Sequence, residues 1–169
     1  MGGVIPLLRR VAARLAWGRS MRATRRWRWR NVPLPEVHLA LLAAGVILSV
    51  LWPLRITSTR SVRLLGGPLI VVGVAWAAWA TRTAGSEDLE RPERLVTRGP
   101  YAISRHPMYA AWTLIYFGVA VALNTVWLLI LLPLLAVLIQ REARREEHRL
   151  IETFGDQYLT YRRRVRAYL

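Results

Sequence analysis

Four long apolar runs limit what this chain can fold into. Residues 37–54 (VHLALLAAGVILSVLWPL) and 64–80 (LLGGPLIVVGVAWAAWA) each extend for 17 or 18 residues with no Asp, Glu, Lys or Arg. That is close to the ~20 residues needed to cross ~30 Å of hydrocarbon. Two further runs, from about Met108 to Leu123 and from Val126 to Ile139, are separated only by Asn124 and Thr125, which predicts a tight helical hairpin. At 1.5 Å per residue the last run covers only about 21 Å, so the hairpin is short for a bilayer. Pro133 within it removes a backbone donor and predicts a kink. Pro68 falls in the first turn of the second helix, where a missing N–H costs little, and Trp52, Trp76 and Trp79 sit near helix ends, where interfacial aromatics belong.

Composition then separates the remaining classes. The chain has 169 residues, 54% of them hydrophobic, and a formal charge of +15. A soluble domain of this length has too little interior to hide four such runs, and a nucleic-acid binder of this charge is usually poorer in apolar residues. A membrane protein with basic flanks accommodates both. The expected fold class is therefore all-α: an integral membrane protein with about four transmembrane helices, the last two a short hairpin. With no Cys, disulfides and thiolate chemistry are excluded. Three scattered His give no metal-ligand spacing, so no metal is expected.

The arginines set the expected orientation. Residues 1–31 carry nine Arg and no acid, the hairpin turn at Asn124 is uncharged, and the tail beyond Gln140 is basic. The positive-inside rule puts both termini, and with them the loop from Thr81 to Pro107, in the cytoplasm. The loop RITSTRSVR, with three Arg, opposes that assignment, but the N-terminal arm outweighs it. Residues 1–35 read as a basic amphipathic juxtamembrane arm: Val4, Leu8, Val11 and Leu15 share one helical face, and RRWRWR follows. Anionic lipid headgroups are its expected partner, ahead of nucleic acid. About 35 residues precede the first apolar run, which argues against a cleavable signal peptide. Residues 36–169 form the second expected unit.

Two polar clusters flank the hairpin. The first is RGPYAISRHPMYAAW (residues 98–112), where Arg105, His106 and Tyr109 open the third helix and Pro107 suits its first position. Ionisable groups at a membrane edge are functional candidates by default, and free N–H groups at a helix start favour anions. The second, REARREEHRLIETFGDQYLTYRRRV (residues 141–165), continues the fourth helix out of the membrane. Helical spacing places Glu142, Glu146 and Arg149 on one stripe and Ala143, Glu147, Leu150 and Phe154 on the next. Gly155 ends that helix, and Asp156 is expected to cap another carrying Tyr158, Tyr161 and Arg162. Taken alone, each cluster also fits an ordinary interfacial cap or a solvated charged face. The hairpin, however, brings Glu146 and Glu147 back toward Arg105 and His106.

GPYAISRHPMY followed about forty residues later by EEHRLIETFGDQYLTYRRRV closely resembles the isoprenylcysteine carboxyl methyltransferase and phospholipid methyltransferase superfamily of integral-membrane enzymes. The resemblance covers roughly residues 95–166. It implies S-adenosylmethionine as cofactor, with Tyr101, His106, Pro107, Tyr109 and Glu147 on the cofactor side and Arg105 and Glu146 in acceptor binding and catalysis. The acceptor implied is a lipid or other lipophilic small molecule. Ala111 stands where many members have Gly, and the tail ends RVRAYL in place of the usual Pro-containing ending. Membrane sterol and steroid reductases, which bind a nicotinamide cofactor, have a similar RHP-containing region, and a non-catalytic membrane scaffold is the alternative from a different class. The Gly-rich strand-to-helix loop of soluble methyltransferases is absent, and Gly66 and Gly67 read as close helix packing.

Overall fold

A computed structural model describes residues 36–85 and 94–168. The basic arm expected over residues 1–35 lies outside the described residues. The described residues are mainly helical, and the only β contacts among them are two isolated bridges, Arg55 with Thr125 and Ser104 with Arg166.

Helix α1 spans Glu36–Leu51, α2 Arg60–Leu64 and α3 Gly66–Ala84. Helix α4 spans Pro107–Leu123, α5 Val126–Ile130, α6 Leu132–Phe154 and α7 Asp156–Arg164. The segment Ser61–Ala84, 24 residues long, is long and apolar enough to cross a membrane, whereas α1 and α4 are apolar but shorter. Much of the apolar surface faces outward: Val50, Leu64 and Val71 are 77%, 76% and 66% exposed. Water penalises such a surface, and hydrocarbon does not.

The fourth apolar run is divided. The expected kink is a break at Leu131, because Pro133 cannot donate to the carbonyl four residues earlier and instead occupies the first turn of α6. Pro68 lies in the first turn of α3, as its position predicted. Gly155, at φ 50°, ends α6 and itself takes the cap position of α7, so Asp156 is the first residue of α7 and makes no capping bond.

The hairpin turn is fixed by Asn124, which adopts the left-handed conformation at φ 55° and clamps the neighbouring loop. Its Oδ1 accepts from the Thr57 N–H at 3.0 Å, and its Nδ2 donates to the Thr57 carbonyl at 2.7 Å. Thr125 caps α5 by accepting from the Trp127 N–H, and the Trp127 indole donates to the Trp52 carbonyl at 2.6 Å. These bonds gather the α1–α2 loop and the hairpin turn at one end of the bundle. The 17 residues of α4 then place His106 about 25 Å away, at the other end.

Helices α3 and α4 approach backbone to backbone. A Cβ on Gly66 would meet the Ala122 nitrogen at 2.5 Å, one on Gly73 the Ile115 side chain at 2.6 Å, and one on Gly118 the Ile70 side chain at 2.8 Å. Small residues permit such contact where lipid supplies no hydrophobic drive between helices. Only half of the expected GlyGly packing is present, because Gly67 faces open space. On the other side of α4, Tyr116, Ala120, Leu128, Leu135 and Ile139 form the core, and the Tyr116 hydroxyl donates to the Leu128 carbonyl at 3.1 Å.

Candidate active site

The polar end of the bundle is built around a tight turn. Residues Gly99–Ala102 form a 3-10 turn in which Gly99 has φ 60°, and Pro100 is buried. His106 takes the position before the first turn of α4, and Pro107 begins the helix with φ already set. The main chain between them is held by the C-terminal tail: the Arg105 N–H donates to the Arg166 carbonyl at 2.9 Å and the His106 N–H to the Ala167 carbonyl at 3.3 Å. The Ser104 hydroxyl adds a bond to the Ala167 carbonyl at 3.0 Å. Arg166 and Ala167, in the unusual ending, therefore close over the RHP turn.

On this frame the two clusters meet. The Arg105 guanidinium lies 2.8 Å from Glu147, with the two side chains only 10% and 12% exposed. The same Glu147 oxygen is 3.2 Å from His106 Nε2, and its other oxygen is 3.6 Å from Arg162. His106 Nδ1 lies 3.4 Å from Glu146, close enough for an ion pair but not aligned for a hydrogen bond. Glu146 is 41% exposed, so one carboxylate of the pair is enclosed and the other faces outward. This is the helical register at work, since adjacent residues of α6 point about a quarter-turn apart. Glu142, by contrast, pairs with Arg145 in solvent.

Aromatic rings enclose the cluster. The His106 ring lies 5.7 Å from Tyr109 and 5.9 Å from Tyr168. The Tyr161 hydroxyl donates to the Tyr101 carbonyl at 2.6 Å, tying α7 to the 3-10 turn. Burial, followed by the negative charge of Glu146, raises the Tyr101 phenol well above the ordinary range. Burial also pushes the Tyr161 phenol up to about 12. Both therefore remain neutral hydrogen-bonding groups in any physiological medium. Four polar atoms here are buried without a hydrogen-bond partner: Arg105 Nε, His106 Nδ1, Tyr158 Oη and Tyr168 Oη.

Behind this wall lies a cavity of about 650 Å³ between α3, α4 and α6, lined chiefly by apolar side chains from Leu114, Phe117, Leu132, Leu135, Ala136 and Ile139. Tyr109 and Tyr168 line it as well, so the same two rings face the polar cluster and the apolar cavity.

Arg105, His106, Glu146 and Glu147 thus converge, Tyr101 and Tyr109 flank them, and Pro107 shapes the helix start. Arg105, on the acceptor side of the division that the resemblance implied, is joined to Glu147 on its cofactor side. Sequence reasoning gave no role to Ser104, Arg162 or Tyr168. Tyr158 and Tyr161 were visible as an i, i+3 pair on a short helix, but Tyr168 lies in the ending that departs from the familiar pattern.

A family model described as phospholipid methyltransferase matches residues 62–157, more than half of the chain. The chain belongs to the phospholipid methyltransferase family. The matched segment runs from α2 to the start of α7 and contains the RHP turn and both glutamates. No curated protein matches the chain significantly. Family membership supports a membrane methyltransferase in general terms and gives no support to the reductase or scaffold alternatives.

Proposed function

We propose that this phospholipid methyltransferase family member transfers a methyl group from S-adenosylmethionine to a lipophilic acceptor at the cytoplasmic face of a membrane. The observation that carries the reading is the shared wall: Tyr109 and Tyr168 separate a cluster of buried charges from an apolar cavity. A water-soluble donor and a membrane-dissolved acceptor need adjoining compartments of that kind.

The residues fit such a donor. Its carboxylate and ammonium need a cation and an anion, and its hydroxyls and base need hydrogen-bonding groups. Glu147 and the shared Arg105 supply the charges, and the buried unpartnered atoms of Arg105, Tyr158 and Tyr168 have capacity to spare. Tyr101, His106, Pro107, Tyr109 and Glu147 are assigned to holding the donor, which when bound supplies an activated methyl group on a sulfonium. Arg105 and Glu146 are assigned to the acceptor side, and Arg105 is shared through its bond to Glu147. Methyl transfer is an in-line displacement, so the protein contributes mainly position and exclusion of water. Where the acceptor is a neutral N–H or O–H group, one proton must leave it, and the half-exposed Glu146 carboxylate is placed to receive that proton.

The cytoplasmic assignment rests on the arginines of the N-terminal arm and tail, with about four membrane passages formed by α1, α3, α4 and the α5–α6 segment. The test is transfer of labelled methyl from the donor to total membrane lipid by purified protein in detergent. Label should enter the lipid phase with the wild type and fall by at least a hundredfold with Glu146→Gln or Arg105→Ala. Near-normal transfer by either variant would overturn the acceptor assignment.

A further inference from the structure

Helix α1 carries a histidine in an otherwise apolar face. His38 is 3% exposed, and its Nε2 is hydrogen-bonded to Thr113 Oγ1 on α4 at 3.2 Å. An ionisable side chain at membrane depth is costly and usually has a task. His38 lies outside the segment matched by the family model, and nothing in the donor site uses it.

Thr113 is equally distinctive. Helical threonines usually return their hydroxyl proton to the carbonyl four residues back. Thr81 does so with Ala77, Thr83 with Trp79 and Thr153 with Arg149. Thr113 is instead bonded to His38, and it lines the apolar cavity. A hydroxyl has one donor and two acceptor positions, so the bond to His38 leaves capacity for a second partner. Trp76 lines the same cavity, and its indole N–H is buried and has no partner. An apolar cavity with a polar group in its wall selects a ligand with a matching polar group, because an unmatched one would be left unpaired.

We propose that Thr113, held in position by His38, is a specificity-determining residue that recognises an uncharged hydroxyl or carbonyl group on the body of the acceptor. This inference rests on the reading of the cavity as the acceptor site. Thr113 follows His106 by seven residues and Tyr109 by four, so the recognised group lies about 6–10 Å from the reacting head. The acceptor is therefore a lipophile interrupted by a hydrogen-bonding function at that depth.

The probes are stearic acid and its singly hydroxylated positional isomers, titrated into the full-length protein in detergent by calorimetry. Partition into micelles cancels between the wild type and its variants. The wild type should bind an isomer hydroxylated at the corresponding depth about three- to tenfold more tightly than stearic acid. Thr113→Val, nearly the same shape, should bind all isomers alike, Thr113→Ser should keep the preference, and His38→Phe should weaken it. Equal affinities across the isomers in the wild type, or a preference that survives Thr113→Val, would overturn the proposal and leave the pair as interhelical packing. S-adenosylhomocysteine titrated into the same samples separates the two readings. Its binding without positional preference removes this inference alone, while failure of stearic acid to bind at all removes the acceptor cavity with it.

Discussion

Arg105 and Glu147, 42 positions apart in sequence, meet at 2.8 Å with both side chains largely enclosed. Glu147 also faces His106 and Arg162, so one carboxylate serves three basic groups, two from the RHP turn and one from α7. Its neighbour Glu146 lies 3.4 Å from His106 and is 41% exposed. That asymmetry gives the two acids different consequences on removal.

Glu147→Ala leaves Arg105 enclosed without its counter-charge, which costs about 3–5 kcal/mol when a buried pair loses one member. Glu146→Ala removes a half-solvated group and should alter stability by no more than about 0.5 kcal/mol. Thermal unfolding in detergent should therefore separate the two, while both lose methyl transfer. Equal stability losses would contradict the enclosed and outward roles.

The glycine pair at the start of α3 gives an internal control. Gly66→Ala drives a methyl group into the Ala122 backbone and should cost about 1–3 kcal/mol. Gly67→Ala meets open space and should be neutral, or stabilising by up to about 1 kcal/mol, because the unfolded chain loses freedom. Unfolding measured side by side checks the register of α3 on α4.

The phenols predict an alkaline limit. Tyr161 in the folded protein titrates at about 12, above its ordinary value of 10.0, because burial disfavours the phenolate. Between those values the folded state holds a proton that the unfolded state has released, so stability falls as pH rises. Its contribution is intact below pH 10 and is lost through about 12. Tyr161→Phe removes a titrating group together with the bond to the Tyr101 carbonyl. Its stability should be lower near neutrality but decline less steeply above pH 10.

Removal of residues 166–169 takes away the carbonyls that accept from the Arg105 and His106 N–H groups and from Ser104. It also removes the Tyr168 ring. Affinity for S-adenosylhomocysteine should drop by at least tenfold, with far-ultraviolet circular dichroism nearly unchanged. Undiminished affinity would show that the tail does not shape the donor site.

Much of this was legible in the sequence, for identifiable reasons. The apolar runs announced the helices because lipid-facing surfaces require uninterrupted apolar residues, and Asn124 and Thr125 announced the turn because they are the only break between two such runs. The meeting of the Arg105–His106 pair with Glu146 and Glu147 followed from a hairpin too short to place them elsewhere. Pro133 marked a disturbance correctly, but whether the chain bends or breaks depends on packing around Leu131. Which member of Gly66–Gly67 faces α4 depends on rotation about α3, which a glycine pair does not encode. Which of the two glutamates bonds to Arg105 is likewise a matter of helix rotation. Tyr168 was hidden because its role comes from main-chain bonds made by Arg166 and Ala167, and such bonds leave no side-chain signature. The cavity was hidden too, since its walls use the same Leu, Ile and Phe that fill any core.

The central claim is that the RHP turn and the α6 glutamates form a donor site, and its most direct test is calorimetric titration with S-adenosylhomocysteine of the purified protein in detergent. The wild type should bind saturably, with affinity lost by at least tenfold in His106→Ala and in Glu147→Gln while circular dichroism stays unchanged. A folded wild type that shows no binding, or variants that bind as tightly as the wild type, would contradict it.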